Sequence, residues 1–144
     1  MALLKLLLLP LAMALQQLND DTFEHQTQAS TGMTTGSWFV AFGSSELEEA
    51  LENAEETLRE AYVIPAAVKL QDSKELQKRF NIKEPVALLF AKHQLYRYHG
   101  PKIAEELVAF AEKALNGEMQ GEQIPPEVSF LGKLWQRFMG QGEL

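Results

Sequence analysis

The chain of 144 residues contains no cysteine, and this absence excludes a whole class of chemistry. Disulfide bonds, thiolate metal sites and thiol–disulfide exchange all need a cysteine sulfur. Histidine is scarce too, since His25, His93 and His99 lack the i,i+4 spacing of a helical zinc site. We therefore predict no metal site, no cofactor and no thiol-based enzyme activity.

Basic residues are outnumbered: 13 Lys and Arg stand against 20 Asp and Glu, which gives a net charge of −7 at pH 7. A nucleic-acid-binding protein needs a basic surface to neutralise phosphates, so we predict no nucleic-acid partner. Hydrophobic residues make up 46% of the chain, enough to fill one core. The length suits one ordinary domain.

Long apolar runs that could cross a membrane are missing after the N-terminus. The N-terminus itself has a short positive start at Met1–Lys5, an apolar run at Leu6–Leu11 and the small residues Ala12 and Ala14 around Met13. This pattern predicts a secretory signal peptide over residues 1–14, cleaved after Ala14. The alternative is a buried N-terminal helix.

Residues 15–117 read as one α/β domain. Short apolar runs bounded by turn residues predict strands, and apolar residues at helical spacing predict helices. The order α-β-α-β-α-β-β-α predicts a mixed central β-sheet flanked by helices. The predicted strands are Trp38–Phe42, Val63–Leu70, Pro85–Phe90 and Leu95–Tyr98, and the predicted helices lie at 19–28, 45–61, 72–80 and 101–115.

Local signals mark the helix ends. Ser45 with Glu48, and Asp72 with Glu75, have the spacing of a capping box. The other predicted end signals are Asp20 or Asp21 at the start of the first helix, Pro101 at the first position of the last helix, Ile103 at the start of its apolar stripe, and Gly117 at its end.

The tail, residues 118–144, is predicted to be a linker over Gly121–Pro126 followed by a short amphipathic helix. The apolar positions of that helix repeat at i, i+1, i+4, i+5, i+8 and i+9. Such a stripe can dock onto the chain's own domain, onto a groove of a partner protein, or onto a membrane surface. The stripe consists of Phe130, Leu131, Leu134, Trp135, Phe138 and Met139.

Three segments together resemble the thioredoxin-like domains of the protein disulfide isomerase family, over residues 19–116. Trp38–Phe42 is similar to the strand that leads into the family's active site. Asn81–Phe90 is similar to the loop and strand that carry its cis-proline, and Leu95–Lys102 is similar to its closing hairpin. The resemblance implies a thioredoxin-like fold and a cis peptide bond before Pro85.

The departures from the family concern its chemistry. Leu47 and Ala50 stand where the two cysteines of the family's CxxC motif would be. The family's buried proton-shuttling acid would fall at Ala41, and the proline that bends its active-site helix at Glu55. The resemblance therefore implies a domain that has kept the scaffold and lost the redox reaction, and we predict that it is not an enzyme.

The leading hypothesis is a redox-inactive protein of the secretory pathway that binds a protein or an unfolded polypeptide. An extended peptide would bind edge-on at Ser44, Ser45, Glu84, Pro85 and Val86. Two alternatives stay open: a glutathione-type thiol-handling enzyme that uses the two serines, and a peripheral membrane protein anchored by the tail helix. A further interpretation is that the proline is an inherited folding feature without a ligand.

Localisation follows from the signal peptide and from the resemblance. The family resides in the lumen of the endoplasmic reticulum, which is the first expectation, and secretion is the alternative. The final Gln141–Leu144 shares only its last two residues with the Lys-Asp-Glu-Leu retrieval signal. The sequence does not define the oligomeric state.

Overall fold

A six-stranded mixed β-sheet forms the centre of the computed structural model, which describes residues 15–33, 35–127, 135 and 137–139. The predicted signal peptide lies outside the described residues. The strands are β1 (Gln16–Leu18), β2 (Ser37–Phe42), β3 (Val63–Val68), β4 (Val86–Ala91), β5 (Gln94–Tyr98) and β6 (Glu122–Gln123). The helices are α1 (Phe23–Thr27), α2 (Ser45–Glu60), α3 (Lys74–Arg79) and α4 (Ala104–Leu115), with a 3₁₀ turn at Leu70–Asp72.

The strand order is β1-β3-β2-β4-β5-β6, with β2 parallel to β3 and antiparallel to β4. Side chains alternate across this sheet and form two apolar layers. Phe39 and Ala41 pack on the side of α2 and α4, whereas Trp38, Val40 and Phe42 pack on the side of α1 and α3. The predicted mixed α/β architecture is confirmed, and the two short edge strands β1 and β6 are additions to it.

Pro65 lies inside a strand, where proline lacks the N–H group that a ladder needs. It is aligned with Phe39 of β2 on one side. On the other side, pairing with β1 begins only at Gln16, opposite Ala66. The proline therefore lies just before the point at which β3 gains its second neighbour, and this position makes it tolerable.

The segment predicted as a linker, Gly121–Pro126, is instead packed on the domain. Glu122 pairs with Leu95 in the sheet, and its carboxylate lies 2.8 Å from the guanidinium of Arg97. Ile124 is 9% exposed in the apolar layer on the α3 side. The linker prediction is wrong because Gly and Pro composition carries no information about the open edge of β5, which this segment covers.

Arg79 also holds the segment Gly121–Pro126 against the domain. Its Nε donates to the carbonyl oxygen of Pro125 at 3.0 Å, and its Nη2 donates to Glu24 at 2.8 Å. The guanidinium lies 4.8 Å from the ring centroid of Phe80 and 5.7 Å from that of Phe23. One buried cation thus joins α1, α3 and the C-terminal segment.

The start of α2 differs by one residue from the prediction. Ser44, not Ser45, is the N-cap, and its Oγ accepts a hydrogen bond from the Leu47 amide at 3.2 Å. Ser44 has the extended backbone that an N-cap needs, with φ −136° and ψ 117°. The prediction of a capping box formed by Ser45 and Glu48 is therefore wrong.

The start of α3 is capped from a distance, so the capping box of Asp72 and Glu75 is also wrong. The carboxylate of Asp20 accepts hydrogen bonds from the amides of Glu75 at 3.3 Å and Leu76 at 3.0 Å. The formal N-cap is Ser73, whose buried Oγ has no hydrogen-bond partner in the described part of the chain.

The prediction that Asp20 or Asp21 caps the first helix is also wrong. Helix α1 begins at Phe23, and its N-cap Thr22 makes no side-chain cap. Asn19 organises the turn instead, because its Oδ1 accepts from the amides of Asp21 at 2.9 Å and Thr22 at 3.1 Å.

The last helix starts later than predicted. Helix α4 begins at Ala104, so Pro101 is not its first residue. The carbonyl oxygen of Pro101 instead accepts a hydrogen bond from the hydroxyl of Tyr98. Gly117 follows the helix with a φ of +76°, as an end signal should. Among the described residues, no helix has the length and apolar character needed to cross a membrane.

Candidate functional site

Leu47 and Ala50 lie at the start of α2 and face the core. They are 3% and 4% exposed and belong to one apolar cluster with Ala41. The structure therefore brings together the three positions at which the resemblance places two cysteines and a buried acid. All three side chains are buried and apolar, so none of them can ionise or accept a proton.

Three alanines form a row across the central strands, in the same apolar cluster as Leu47 and Ala50. Ala41 of β2 is aligned with Ala67 of β3 and with Ala87 of β4, and all three are fully buried. Because methyl groups project little from the sheet, α2 can pack closely over the row. A carboxyl group at Ala41 would be desolvated there, at a cost that only a hydrogen-bonding partner could offset.

The turn from β2 into α2 is tightly fixed at Gly43. Its φ is +73°, and its amide donates to the Val68 carbonyl at 3.0 Å. A Cβ atom at this position would lie 2.6 Å from Cδ1 of Leu70. The positive φ favours glycine, and any larger residue would also require the Leu70 side chain to shift, so this turn holds Ser44 and Ser45 in a defined place.

The predicted peptide-binding residues meet at one end of the sheet. The register pairs Phe42 of β2 with Val86 of β4, so the residues after Phe42 and those before Val86 lie at the same edge. Within this group, Ser45, Glu84 and Pro85 are exposed, whereas Ser44 is 9% and Val86 is 7% exposed. We call the three exposed residues the β2–β4 end surface.

The prediction of a cis peptide bond before Pro85 is wrong, because every peptide bond of the described residues is trans. Trans is the more stable isomer of an X–Pro bond by about 0.5–1 kcal/mol. The loop before the proline turns at Asn81, whose φ is +52°, and enters β4 at Val86 without a cis bond.

The serines offer little for thiol chemistry. The Ser44 hydroxyl is buried and caps α2, and Ser45 is exposed on the first turn of the same helix. Within the described residues, no group of three or more His, Asp or Glu side chains is arranged to hold a metal ion.

The outer face of α2 is acidic. Burial raises the pKa of Glu52 above its ordinary value, and the neighbouring carboxylates of Glu48, Glu49 and Glu55 raise it further. The charges on this face are only partly compensated, for example by Arg59 at 3.0 Å from Glu55. An anionic ligand such as a glutathione thiolate would therefore be repelled beside the β2–β4 end surface.

An open groove of about 600 Å³ lies between α2 and α4, next to Ala50. Lys102 lines this groove, and its Nζ lies 3.8 Å from Oε2 of Glu46. The sequence pattern missed this feature because it placed Ile103 in the inward stripe of α4, whereas Ile103 is the N-cap residue and is 51% exposed.

Part of the predicted tail stripe is described. Trp135, Phe138 and Met139 are 64%, 70% and 49% exposed, and the first two rings stack with centroids 6.3 Å apart. The other members of the stripe, Phe130, Leu131 and Leu134, lie outside the described residues.

Comparison with known proteins finds similarity both in sequence and in structure. No family model matches the chain. A "Thioredoxin domain-containing protein" from Theileria parva is 39% identical over 102 residues, which cover 65% of this chain and 46% of that protein. The chain thus spans about half the length of the curated relative that it matches.

The structural relatives are longer proteins with low sequence identity. Full-length ERdj5 gives a TM-score of 0.58 at 20% identity, over 69% of this chain and 14% of that one. Human ERp44 gives 0.58 at 17% identity, over 71% and 29%. The first two thioredoxin domains of Naumovozyma dairenensis Eps1p give 0.55 at 20% identity, over 68% and 40%.

Proposed function

Because the chain is a thioredoxin-like domain without a cysteine, we propose that it is a redox-inactive binding module of the secretory pathway that holds extended segments of other proteins. The burial of Leu47 and Ala50 in one apolar cluster, at the place of the family's cysteine pair, is the observation that carries this proposal. Thiol–disulfide exchange is impossible without a thiolate. What the scaffold still offers is its surface.

The compartment is part of the proposal. Residues 1–14 have the pattern of a signal peptide, and the structural relatives ERdj5 and ERp44 carry "ER" in their names. Both observations favour the lumen of the endoplasmic reticulum. Immunofluorescence of the full chain against a lumenal marker tests this part, and a uniform cytosolic signal would contradict it.

The proposed contact for an extended peptide is the β2–β4 end surface. Ser45, Glu84 and Pro85 are exposed at the end of two adjacent central strands, and backbone groups before β4 lie outside its ladder. An extended segment could use these groups as a strand uses a sheet. The trans bond before Pro85 gives this loop a different shape from the one the resemblance implied, so binding here need not follow the family's geometry.

Insulin provides a test with two readouts. With glutathione as reductant, we expect no acceleration of insulin reduction by the chain beginning at Leu15. With dithiothreitol as reductant, the B chain aggregates, and we expect the protein to slow the rise in light scattering. Ser45→Arg and Pro85→Arg should each weaken that protection, because both residues are exposed and the new side chain obstructs the surface.

Lys113→Ala is the matched control, since Lys113 is exposed on the last turn of α4, away from the end surface. It should protect as well as the unchanged protein. Accelerated reduction of insulin would contradict the proposal that the chain is redox-inactive. Equal protection by all variants would show that the β2–β4 end surface does not bind the B chain.

The aromatic tail supports a second contact. Trp135 and Phe138 expose a stacked ring pair, which suits a groove of a partner protein. We expect Trp135→Ala/Phe138→Ala to lose partner proteins that the unchanged chain crosslinks in microsomes, while insulin protection stays the same. Partition of the unchanged chain onto lipid vesicles without protein would favour the membrane alternative instead.

A further inference from the structure

The groove between α2 and α4 is lined in part by apolar side chains. Ala50 of α2 and Ala104 of α4 contribute methyl groups, and Ile103 adds an exposed aliphatic side chain. The volume of about 600 Å³ is that of a cleft that accommodates a few side chains. An apolar side chain of a bound polypeptide can therefore pack here against Ile103.

Charged groups line the same groove, and most of them are acidic. The carboxylates of Glu46 and Glu49 come from α2, and that of Glu105 comes from α4. Lys102 provides the single cation of the lining. Within the described part of the chain, Glu49 and Glu105 form no ion pair. The groove thus has a surplus of negative charge and complements a cationic side chain.

The ion pair of Lys102 with Glu46 is weak enough to be exchanged. The two side chains are 45% and 74% exposed, and such surface pairs contribute little to stability. A guanidinium group can form two parallel hydrogen bonds to one carboxylate, which an ammonium group cannot. Glu49 is also one of the carboxylates that raise the pKa of Glu52, so a bound cation would reduce a repulsion already present in the free protein.

The groove is next to the β2–β4 end surface. Ser45 belongs to that surface, and Glu46, the next residue on the first turn of α2, lines the groove. We propose that an extended segment held at the end surface continues into this groove, which selects segments with an arginine two residues from an apolar residue. Side chains at that spacing lie on the same side of an extended chain. The inference rests on the proposed function and adds its substrate class, basic polypeptide segments with apolar residues.

Fluorescence anisotropy with two labelled peptides tests the selection. Both peptides consist of Ser, Thr and Val around a central Leu-Ser-Arg, and in the second peptide citrulline, a neutral side chain of similar shape, replaces the arginine. We expect the unchanged protein to bind the arginine peptide about three- to tenfold more tightly than the citrulline peptide. Added salt should remove most of this difference, because it screens exposed charges.

Substitutions in the groove assign the effect to its lining. Glu49→Gln and Glu105→Gln should each weaken binding of the arginine peptide about two- to threefold and leave the citrulline peptide unchanged. Glu60→Gln is the matched control, since it removes the same charge from an exposed position at the other end of α2. Ile103→Ser should weaken binding of both peptides, and serine at this N-cap position preserves the start of α4.

The outcomes separate the groove from the function on which it rests. Equal affinity of the unchanged protein for the two peptides, with both weakened by Pro85→Arg, overturns the selection by the groove and leaves peptide binding at the end surface intact. An equal effect of Glu49→Gln and Glu60→Gln overturns the groove as the source of any preference for arginine. Binding of neither peptide at millimolar concentration overturns the proposed binding function itself.

Discussion

The carboxyl group of Glu52 lies on the acidic face of α2, where partial burial and three neighbouring carboxylates raise its pKa. Between the ordinary Glu pKa of about 4.3 and the raised value, the folded state binds more protons than the unfolded state. Stability is therefore lost as the pH rises through this window. We expect Glu52→Gln to flatten that dependence and to stabilise the protein at pH 7 by about 0.2–0.5 kcal/mol, as for removal of a like-charge helix pair.

Urea unfolding at several pH values measures this effect. Glu112→Gln is the control, because Glu112 is an exposed glutamate on a different helix, α4. A Glu52→Gln variant that is less stable than the unchanged chain at pH 7 would contradict the assignment.

Gly43 is the residue on which the geometry of the end surface depends. At a φ of +73° an alanine costs about 1–2 kcal/mol, and its Cβ would also meet the Leu70 side chain. We expect Gly43→Ala to lower the unfolding free energy by about 2 kcal/mol or more. Part of the loss should be relieved when Leu70→Ala is added, which a double-mutant cycle measures as non-additivity. Strict additivity would show that the contact with Leu70 is unimportant.

At the scale of elements, the turn of the β4–β5 hairpin contains two residues that are unfavourable there, so that substitution of both should stabilise the protein. Ala91 pairs with Gln94, so Lys92 and His93 form a two-residue turn with φ values of 54° and 62°. Such turns prefer Asn-Gly, because ordinary side chains are strained at positive φ. We expect Lys92→Asn/His93→Gly to raise the unfolding free energy by about 1 kcal/mol. A lower midpoint of thermal unfolding would argue against this turn.

The helix starts show which local features the sequence could predict and which it could not. The existence of α2, α3 and α4 follows from apolar spacing within each segment. The cap of α3 does not, because Asp20 lies 55 residues before the amide of Glu75 that it binds. A capping box is a short-range pattern, and Asp72 with Glu75 has its spacing. The amides at the start of α3 are nevertheless bound by the distant carboxylate of Asp20.

At the scale of the whole molecule, the thioredoxin-like fold was predictable because strand order and turn positions are encoded along the chain. Its recognition is confirmed by the Theileria parva relative and by the structural neighbours. The end of the domain was less predictable, since β6 depends on an edge that exists only after β5 is folded. The trans bond at Pro85 was mispredicted because the family's proline was transferred without the surroundings of its active site.

The packed C-terminal segment predicts where the chain can be shortened. Removal of residues after Gly117 deletes β6, the ion pair of Arg97 with Glu122 and the burial of Ile124. We expect a loss of at least about 2 kcal/mol in urea unfolding, mainly from the buried side chain. Removal of residues after Glu127 keeps all three contacts and should therefore preserve their share of the stability. Equal stability of the two shortened chains would contradict the packing of this segment.

The row of Ala67, Ala41 and Ala87 on the α2 side of the sheet limits what one new cysteine could do in this molecule. A thiol placed at Leu47 or Ala50 would lie in a buried apolar cluster, where burial raises the pKa of a thiol and lowers the fraction of thiolate. The alanine at position 41 offers no carboxylate that could take up the proton. A single substitution to cysteine in this cluster should therefore leave a protonated, unreactive sulfur inside the domain.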